Sequence, residues 1–248
     1  MATMEGQGES RSRPRKTATL PLMSVKRATL PDEIYKRIKD MILNGGLVPG
    51  ELVTIQGLAV AFGVSAMPVR EALQRLTAER GLTIVAGRSV GVPELVSERF
   101  RDMVRVRVEL EGLAAEWATP RIETDRIKAL EKLIDVMAAA NSAGDTRAFV
   151  RANHEFHFAI YRAAGSESLL AIIESLWLQV SPYFHLLYSS GNYTAANQEH
   201  RRIVRALYRR RSSDVRRHLE RDIAAAAIVL TDLLGGTAHE ARQSSAKL

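Results

Sequence analysis

The stretch that decides the fold is VSAMPVREALQRL, Val64–Leu76. Apolar residues recur in it at helical spacing, while arginines and a glutamine occupy the other faces. Ser65 is a favourable N-cap, and this puts Pro68 in the first turn, where its missing backbone N–H removes no intrahelical hydrogen bond. The stretch therefore predicts an amphipathic helix. Its buried side carries Val69, Leu73 and Leu76, and its outer side carries Arg70, Gln74 and Arg75.

A second short helix precedes this one, and a hairpin follows it. The preceding helix carries apolar residues from Ile55 to Phe62 and stops at Gly63, so a tight turn separates the two helices. Two β-rich runs at 83–85 and 90–92 then flank a short turn, a pattern typical of a hairpin. Helix pairs with tight turns also occur in all-α proteins that bind no DNA. The hairpin favours a winged helix-turn-helix over residues 29–95.

The composition excludes several kinds of site. The 248 residues contain no cysteine, so disulfides, thiolate zinc sites and cysteine nucleophiles are excluded. Lysine and arginine outnumber aspartate and glutamate by 35 to 28, a net charge of +7 that suits a polyanionic partner without requiring one. The longest uninterrupted apolar run, Ile223–Leu230, is far too short to span a bilayer. We expect a cytoplasmic protein with no membrane segment.

Both ends of the chain lack sustained periodicity. Residues 1–28 are polar and basic, which predicts a disordered tail. Such a tail either keeps the protein soluble or acts as an arm that touches DNA phosphates. Residues 236–248 are expected to be frayed.

Beyond Pro93 the sequence predicts only helices. Apolar periodicity indicates an all-α domain over 97–235 with about six helices. Their approximate ranges are 97–118, 123–142, 145–164, 167–189, 194–211 and 213–234. The predicted fold class is therefore mostly α, with an N-terminal winged helix-turn-helix and a C-terminal all-α helical bundle.

A few polar residues fall on the apolar faces of this predicted bundle. Asn153 and His157 are one turn apart on the inward side of their helix, and His200 lies in line with apolar neighbours. In the last helix, Asp222 lies about 50° from the centre of the apolar face, whereas His218 lies about 95° away. Asp222 is therefore the better inward candidate.

The sequence motifs resemble those of the GntR family of bacterial transcription regulators. In the winged helix the resemblance rests on PVREAL at 68–73 with Arg75 and Leu76, on Pro49-Gly50, and on Leu58-Ala59. The helical part resembles the FCD ligand-binding domain of the FadR-type subfamily, through Arg107 with Leu110-Glu111, through Phe156-His157, and through His200 followed by Ile203 and Ala206-Leu207. Together these resemblances cover about 28–234.

The resemblance implies a homodimer whose two winged helices bind a short palindromic operator in double-stranded DNA. A dimer doubles both the phosphate contacts and the base contacts. Carried over position by position, the implied DNA-contacting residues are Gln56, Ser65, Ala66, Met67, Arg70, Arg75, Arg88 and Ser89.

The chain departs from the family pattern at one important base contact. Relatives typically have arginine directly after the capping residue, where this chain has Ala66. Because a bidentate arginine discriminates between bases by about 1–3 kcal/mol, base reading should move to Gln56, to thymine-methyl contacts of Ala66 and Met67, and to the wing. Arg70 matches the arginine that the family retains. Arg75 either contacts phosphate or is a solvated surface charge.

The resemblance also implies a divalent metal in the helical domain, held by Asp or Asn and three histidines. Asn153, His157 and His200 match three of these positions, and the fourth aligns with Asp222. His218 could replace Asp222 only if its helix rotated or shifted. This donor set suits zinc, nickel or manganese, and a metal-free hydrogen-bonded cluster is the alternative.

Arg107 matches the arginine that lies beside the ligand cavity in the subfamily. We expect it either to bind the carboxylate of a small organic-acid effector or to form an ion pair with Glu111, one turn further on. The leading hypothesis is a ligand-responsive regulator, and more specifically a repressor. The alternative is a metal-dependent hydrolytic enzyme that uses His157, His200 and Asp222, although no general base or nucleophile is evident beside them.

Overall fold

A computed structural model describes residues 29–85, 89–187 and 193–245. The described residues are mostly helical, as predicted, with nine α-helices and one small sheet. In chain order these are α1 (Leu30–Leu43), β1 (Leu52–Thr54), α2 (Ile55–Phe62), α3 (Ala66–Ala78), β2 (Thr83–Val85), β3 (Ser89–Gly91), α4 (Ser97–Ala118), α5 (Thr124–Ala143), α6 (Thr146–Ala163), α7 (Glu167–Val180), α8 (Tyr193–Tyr208) and α9 (Ser212–Ser245). The predicted basic tail at 1–28, the wing residue Arg88 and residues 246–248 lie outside the described residues.

The N-terminal domain combines three helices with a three-stranded antiparallel sheet. The predicted hairpin is formed by β2 and β3, and β1 pairs with the other side of β3, so that Val53 and Ile84 both lie opposite Val90. The sequence did not predict β1, because three residues are too few to show an alternating pattern. Gly91 permits the close pairing, since a Cβ there would lie 2.8 Å from the Leu52 side chain.

The turn between α2 and α3 is short and is fixed at both ends. Thr54 caps α2 by accepting a hydrogen bond from the Gly57 backbone N–H at 3.0 Å. Gly63 ends α2 in the left-handed conformation, with φ +65°, and α3 begins three residues later. The buried face of α3 packs on α1, which orients the opposite face of α3 toward solvent.

The C-terminal domain is a bundle in which α4 packs along α9, α8 packs on α9, and α5 packs on α6. One predicted helix, 167–189, is wrong in its second half. α7 ends at Val180, and a 3₁₀ helix follows over Ser181–Leu187. Pro182 explains the break, because it has no N–H to continue the α-helical hydrogen bonds.

The last helix is longer than the sequence predicts. Its apolar pattern indicated an end at 234, but α9 continues to Ser245. The residues after the Gly235-Gly236 pair include alanine, glutamate, arginine and glutamine, which all favour helix.

The two domains contact each other through α7 and the segment that follows it. Lys39 Nζ of α1 lies 2.6 Å from Glu174 Oε2 of α7, and the Tyr183 hydroxyl donates to the Pro93 carbonyl at 2.5 Å. The 3₁₀ segment thus contacts the winged helix through Tyr183 and lines a pocket of the bundle through Phe184 and Leu187. Among the described helices, none combines the length and the apolar character needed to cross a membrane.

Candidate metal centre and nucleic-acid interface

The outer face of α3 carries most of the predicted DNA-contacting residues. Ser65 occupies the N-cap position as predicted, but its side chain makes no capping hydrogen bond and is exposed. Met67 is 63% exposed, Arg70 is exposed, and Ala66 is half-buried. Gln56 is exposed on the neighbouring α2. These side chains are available to a partner that approaches the helix pair.

Two exposed residues beside this group were not among the predicted DNA contacts, although Gln74 was predicted to lie on the outer side of α3. Val60 lies one turn after Gln56 on α2 and is 82% exposed. Gln74 lies one turn after Arg70 and lines a groove with Ser89 of the wing. The available signal was helical spacing, because each residue follows a predicted contact by four positions.

Arg75 has partners within its own domain. Its guanidinium lies 3.7 Å from the centre of the Tyr35 ring and within 3.3 Å of Asp32 and 3.4 Å of Glu79. These contacts tie α3 to α1, a role that neither sequence interpretation of Arg75 included.

Three of the predicted metal ligands converge in the core of the bundle. His157 comes from α6, His200 from α8 and Asp222 from α9, and all three are buried. The two Nε2 atoms are 3.3 Å apart, and Asp222 oxygens lie 3.3 Å from His157 Nε2 and 3.6 Å from His200 Nε2. In a tetrahedral site with bonds of about 2.0–2.1 Å, neighbouring ligand atoms are about 3.3–3.4 Å apart. The donor set therefore fits a zinc-type ion.

Asn153 and His218 differ in their relation to this centre. Asn153 is half-buried and lines the same pocket as Asp222 and Arg107. The His218 ring turns away, with Nδ1 2.8 Å from Glu199 Oε2. The structure thus brings Asp222, and not His218, together with the two histidines.

Hydrogen bonds assign the protonation of both imidazoles. The buried Tyr161 hydroxyl donates to Glu111 and lies 3.2 Å from His157 Nδ1, so it accepts the Nδ1 proton. Likewise, Asn197 Oδ1 lies 3.4 Å from His200 Nδ1. Both Nε2 atoms then present lone pairs to each other and to the Asp222 carboxylate. A shared cation stabilises such an arrangement, and outer hydrogen bonds of this kind orient metal-binding histidines.

The pKa shifts of His157 and Tyr161 agree with this assignment, whereas that of Asp222 reflects the protonated form of the histidines. Burial alone would raise the pKa of Asp222, but the charge of His200 and hydrogen bonds donated by His157 and His200 outweigh it and hold the pKa below its ordinary value. Burial lowers the pKa of His157, which favours the neutral imidazole. Burial and Glu111 raise the pKa of Tyr161, so its hydroxyl keeps its proton. A carboxylate and a neutral imidazole are the forms that bind metals.

Arg107 forms the predicted ion pair with Glu111, and its predicted contact with an effector stays a prediction. Its Nε and a terminal nitrogen lie 2.6 and 3.5 Å from the two Glu111 oxygens, so the ion pair is formed. The guanidinium also lies 5.2 Å from the centre of the Trp177 ring and lines the pocket with Asn153 and Asp222. The cavity among these side chains measures about 40 Å³, which is room for a few water molecules, and its remaining lining is mostly apolar.

Sequence reasoning missed the residues that support the histidines. Tyr161 lies one turn after His157, and Asn197 lies three positions before His200. Helical spacing could have found both, because side chains three or four positions apart are neighbours on a helix. Their partners across the bundle could not be predicted in this way.

Comparisons with known proteins match both domains. The description "Bacterial regulatory proteins, gntR family" matches residues 30–92, and the FCD domain matches residues 102–225. The chain is 30% identical over 168 residues to the HTH-type transcriptional regulator McbR of Escherichia coli (strain K12), which is 68% of this chain and 76% of that protein. It is 29% identical over 181 residues to the probable D-xylose utilization operon transcriptional repressor of Paenarthrobacter nicotinovorans, which is 73% of this chain and 80% of that protein.

A solved structure shows the same architecture. E. coli McbR/YncC superimposes with a TM-score of 0.76 at 26% identity, over 83% of this chain and 98% of that chain. The matched domains and relatives belong to transcriptional regulators, which identifies this chain as a regulator and not as an enzyme, so the hydrolase alternative is set aside. The chain belongs to the GntR family of bacterial regulatory proteins and carries an FCD domain.

Proposed function

We propose that this regulator is a repressor that binds a short palindromic operator as a homodimer and releases it when a small organic acid binds in the helical domain. The observation that carries this proposal is the buried convergence of two imidazole Nε2 atoms with the carboxylate of Asp222, which also lines a pocket together with Arg107. The similar D-xylose utilization protein carries the name of a repressor, which supports the direction of regulation. Since a bacterial operator lies on the chromosome, we propose a cytoplasmic location.

The metal would be held by His157, His200 and Asp222, with Asn153 as a fourth donor. Zinc, nickel and manganese suit this set of imidazole nitrogens and oxygens. When bound, the ion supplies a Lewis-acid site for an effector carboxylate. Tyr161 and Asn197 hold the two imidazoles in the orientation that the ion requires.

The charges of the pocket favour a singly charged acid. Arg107 and Glu111 neutralise each other, which leaves the negative charge of Asp222. A divalent ion changes the local balance to one positive charge, which one carboxylate neutralises. The aromatic side chains of Phe149 and Phe184 also line the pocket, and an apolar effector body would contact them once this cavity of about 40 Å³ opens.

DNA reading would fall to the exposed side chains of α2 and α3. Arg70 is the arginine available to guanine, and Gln56 can bind adenine. Ala66 and Met67 offer methyl contacts for thymine, and the exposed Ser65 hydroxyl can bind phosphate. Ser89 and Arg88 of the wing would contact the minor groove or the backbone. Arg75 would contact phosphate only after its ion pair with Asp32 breaks.

Fluorescence anisotropy with DNA from upstream of the protein's own gene tests this function. We expect tight, salt-dependent binding that is lost when the half-sites are scrambled. A panel of small monocarboxylic acids is then added to zinc-loaded protein. At least one acid should weaken DNA binding ten-fold or more, because the bound acid favours one placement of the two wings. An equal response of chelator-treated protein would contradict the metal's part in sensing. Binding that ignores sequence would contradict operator recognition.

A further inference from the structure

A cleft of about 620 Å³ lies between the winged helix and the bundle, and we call it the interdomain cleft. One wall is formed by α1 and the end of α3, and the other by α6 and α7. The pocket beside the metal centre measures only about 40 Å³, and among the described residues the two cavities share no lining side chain. Small-molecule sites usually enclose about 300–1,000 Å³, so the interdomain cleft has the size of a ligand site.

Most of the charges in the interdomain cleft already have partners. Its lining carries four cations and three carboxylates. Lys39 Nζ lies 2.6 Å from Glu174 Oε2. The Arg75 guanidinium lies 3.4 Å from Glu79, which also accepts the Tyr35 hydroxyl at 2.6 Å. These contacts leave two cations and one carboxylate of the lining to meet solvent or a ligand.

The three remaining charges are Lys36 and Asp40 on α1 and Arg162 on α6. In the part of the chain that the structure describes, neither Lys36 nor Arg162 forms an ion pair, and both are exposed. Lys36 and Asp40 are one helical turn apart, so their charges partly offset each other. Arg162 has its guanidinium 5.7 Å from the centre of the Phe158 ring. The interdomain cleft therefore keeps a net positive charge, with one uncommitted cation on each wall.

An anion between the walls would satisfy both cations. The planar guanidinium of Arg162 can donate two parallel hydrogen bonds to a phosphate or a carboxylate, and the Lys36 ammonium supplies a point charge. Leu43, Phe158 and Ala171 also line the interdomain cleft and offer contacts to an apolar body. This lining suits a small molecule that carries one oxyanion group.

His154 adds an unsatisfied polar group to the bundle wall of the interdomain cleft. Its ring centre lies 4.2 Å from that of Phe158, and its buried Nε2 has no hydrogen-bond partner among the residues that the structure describes. Buried polar atoms normally have a partner. A ligand group that displaces the ring slightly would supply one.

We propose that the interdomain cleft is a second ligand site, for a small molecule whose oxyanion group bridges Lys36 of the winged helix and Arg162 of the bundle. This site is separate from the metal centre and from the effector pocket of the proposed function. It gives the protein a second input, because α1 packs on α3. A ligand that joins α1 to α6 therefore biases the placement of the helix that carries Arg70.

Titration calorimetry of the full-length protein with three related probes tests the charge requirement. Phenyl phosphate, benzoate and benzyl alcohol share an aromatic ring, but only the first two carry an oxyanion. We expect one of these two to bind at least about ten-fold more tightly than benzyl alcohol. The tighter of the two identifies phosphate or carboxylate as the recognised group. Equal binding of all three probes, or binding of none, overturns the proposal.

Matched double variants assign the binding to the interdomain cleft. Lys36→Gln/Arg162→Gln removes one charge from each wall, whereas Arg37→Gln/Arg151→Gln removes the same charges from exposed positions of α1 and α6 outside the lining. We expect the first variant to bind the preferred probe about ten-fold more weakly than wild type, and the second to bind it equally well. Circular dichroism checks that both fold. Equal affinities of the two variants overturn the proposal and leave the metal-side pocket of the proposed function untouched.

Cysteine labelling locates the bound probe, since the chain has no cysteine of its own. Ala171 is exposed and lines the interdomain cleft, whereas the next residue, Ile172, is 50% exposed outside that lining. The preferred probe at saturation should slow iodoacetamide alkylation of the Ala171→Cys variant several-fold and leave that of the Ile172→Cys variant unchanged. An unchanged rate for Ala171→Cys, or the same slowing in both variants, overturns the location.

Discussion

Two ion pairs of the same helical spacing, one in each domain, have opposite surroundings. In the winged helix, Glu33 and Arg37 meet at 2.9 Å with both side chains half or more exposed. In the bundle, Arg107 and Glu111 meet at 2.6 Å with both side chains buried. Water already satisfies the first pair, so it contributes little. Burial of the second pair removes two charges from water, and this desolvation costs free energy that the ion pair need not recover. Its contribution to stability therefore does not explain why the pair is buried.

This difference extends to the two candidate sites. The side chains proposed to contact DNA lie on an exposed face. Water solvates polar residues there, so they cost no folding free energy in the absence of DNA. The bundle instead buries His157, His200, Asp222 and Glu111 together. Because buried polar groups are costly unless they are satisfied, their convergence is the stronger indication of a ligand.

Removal of one partner from each pair should give the largest contrast. Glu111→Ala leaves Arg107 charged and buried and takes away the acceptor of the Tyr161 hydroxyl. We expect the free energy of unfolding to fall by about 3–5 kcal/mol, measured by urea denaturation. Glu33→Ala is the matched control, and we expect a loss below about 1 kcal/mol. Equal losses in the two variants would contradict the distinction between the domains.

The sequence could predict elements whose signal is local. Apolar spacing and Ser65 at the N-cap position identified α3, although the Ser65 side chain makes no capping hydrogen bond. The two β-rich runs identified the wing hairpin, and the angular position of Asp222 indicated its burial. These features depend on residues within one or two turns of each other. Helical spacing and the family resemblance were therefore sufficient to predict the fold class and the inward positions of His157, His200 and Asp222.

Features that depend on distant partners could not be predicted. Arg75 stacks on Tyr35, which is 40 positions earlier, and the Tyr161 hydroxyl finds its acceptor on another helix at Glu111. The break at Pro182 had a local signal, because proline interrupts helices, but the apolar pattern continued through it. β1 is stabilised by pairing with β3 and not by its own three residues.

Substitution of Arg70 tests the exposed site. Arg70→Ala should weaken operator binding by about 1–3 kcal/mol per half-site, or about 5- to 150-fold for each, because it removes an exposed arginine within reach of a base. Arg151→Ala on α6 removes the same charge from an exposed position in the other domain and should change affinity less than two-fold. Anisotropy at fixed salt compares them. Identical affinities would remove Arg70 from the DNA interface.

Substitution of Tyr161 tests the support of the buried site with a smaller effect. Tyr161→Phe keeps the ring but removes the hydroxyl between His157 Nδ1 and Glu111. We expect metal affinity to fall about ten-fold, the lower end of the range for outer hydrogen-bond partners of a ligand. Tyr208→Phe, whose exposed hydroxyl donates to Glu131, should leave metal affinity unchanged. Competition with a chromophoric chelator measures both, and a Tyr161→Phe protein with wild-type affinity would exclude this supporting role.

Calorimetric titration of chelator-treated protein with zinc tests the buried centre most directly. We predict one tightly bound ion per chain for wild type and for the control Asp232→Asn, whose side chain is exposed on α9. Binding should release protons if any histidine was charged. Asp222→Asn keeps the shape of the side chain but removes its charge, and it should weaken binding more than 100-fold. Wild-type protein that binds no zinc, nickel or manganese, or an Asp222→Asn variant that binds them equally well, would contradict the assignment of this cluster as a metal centre.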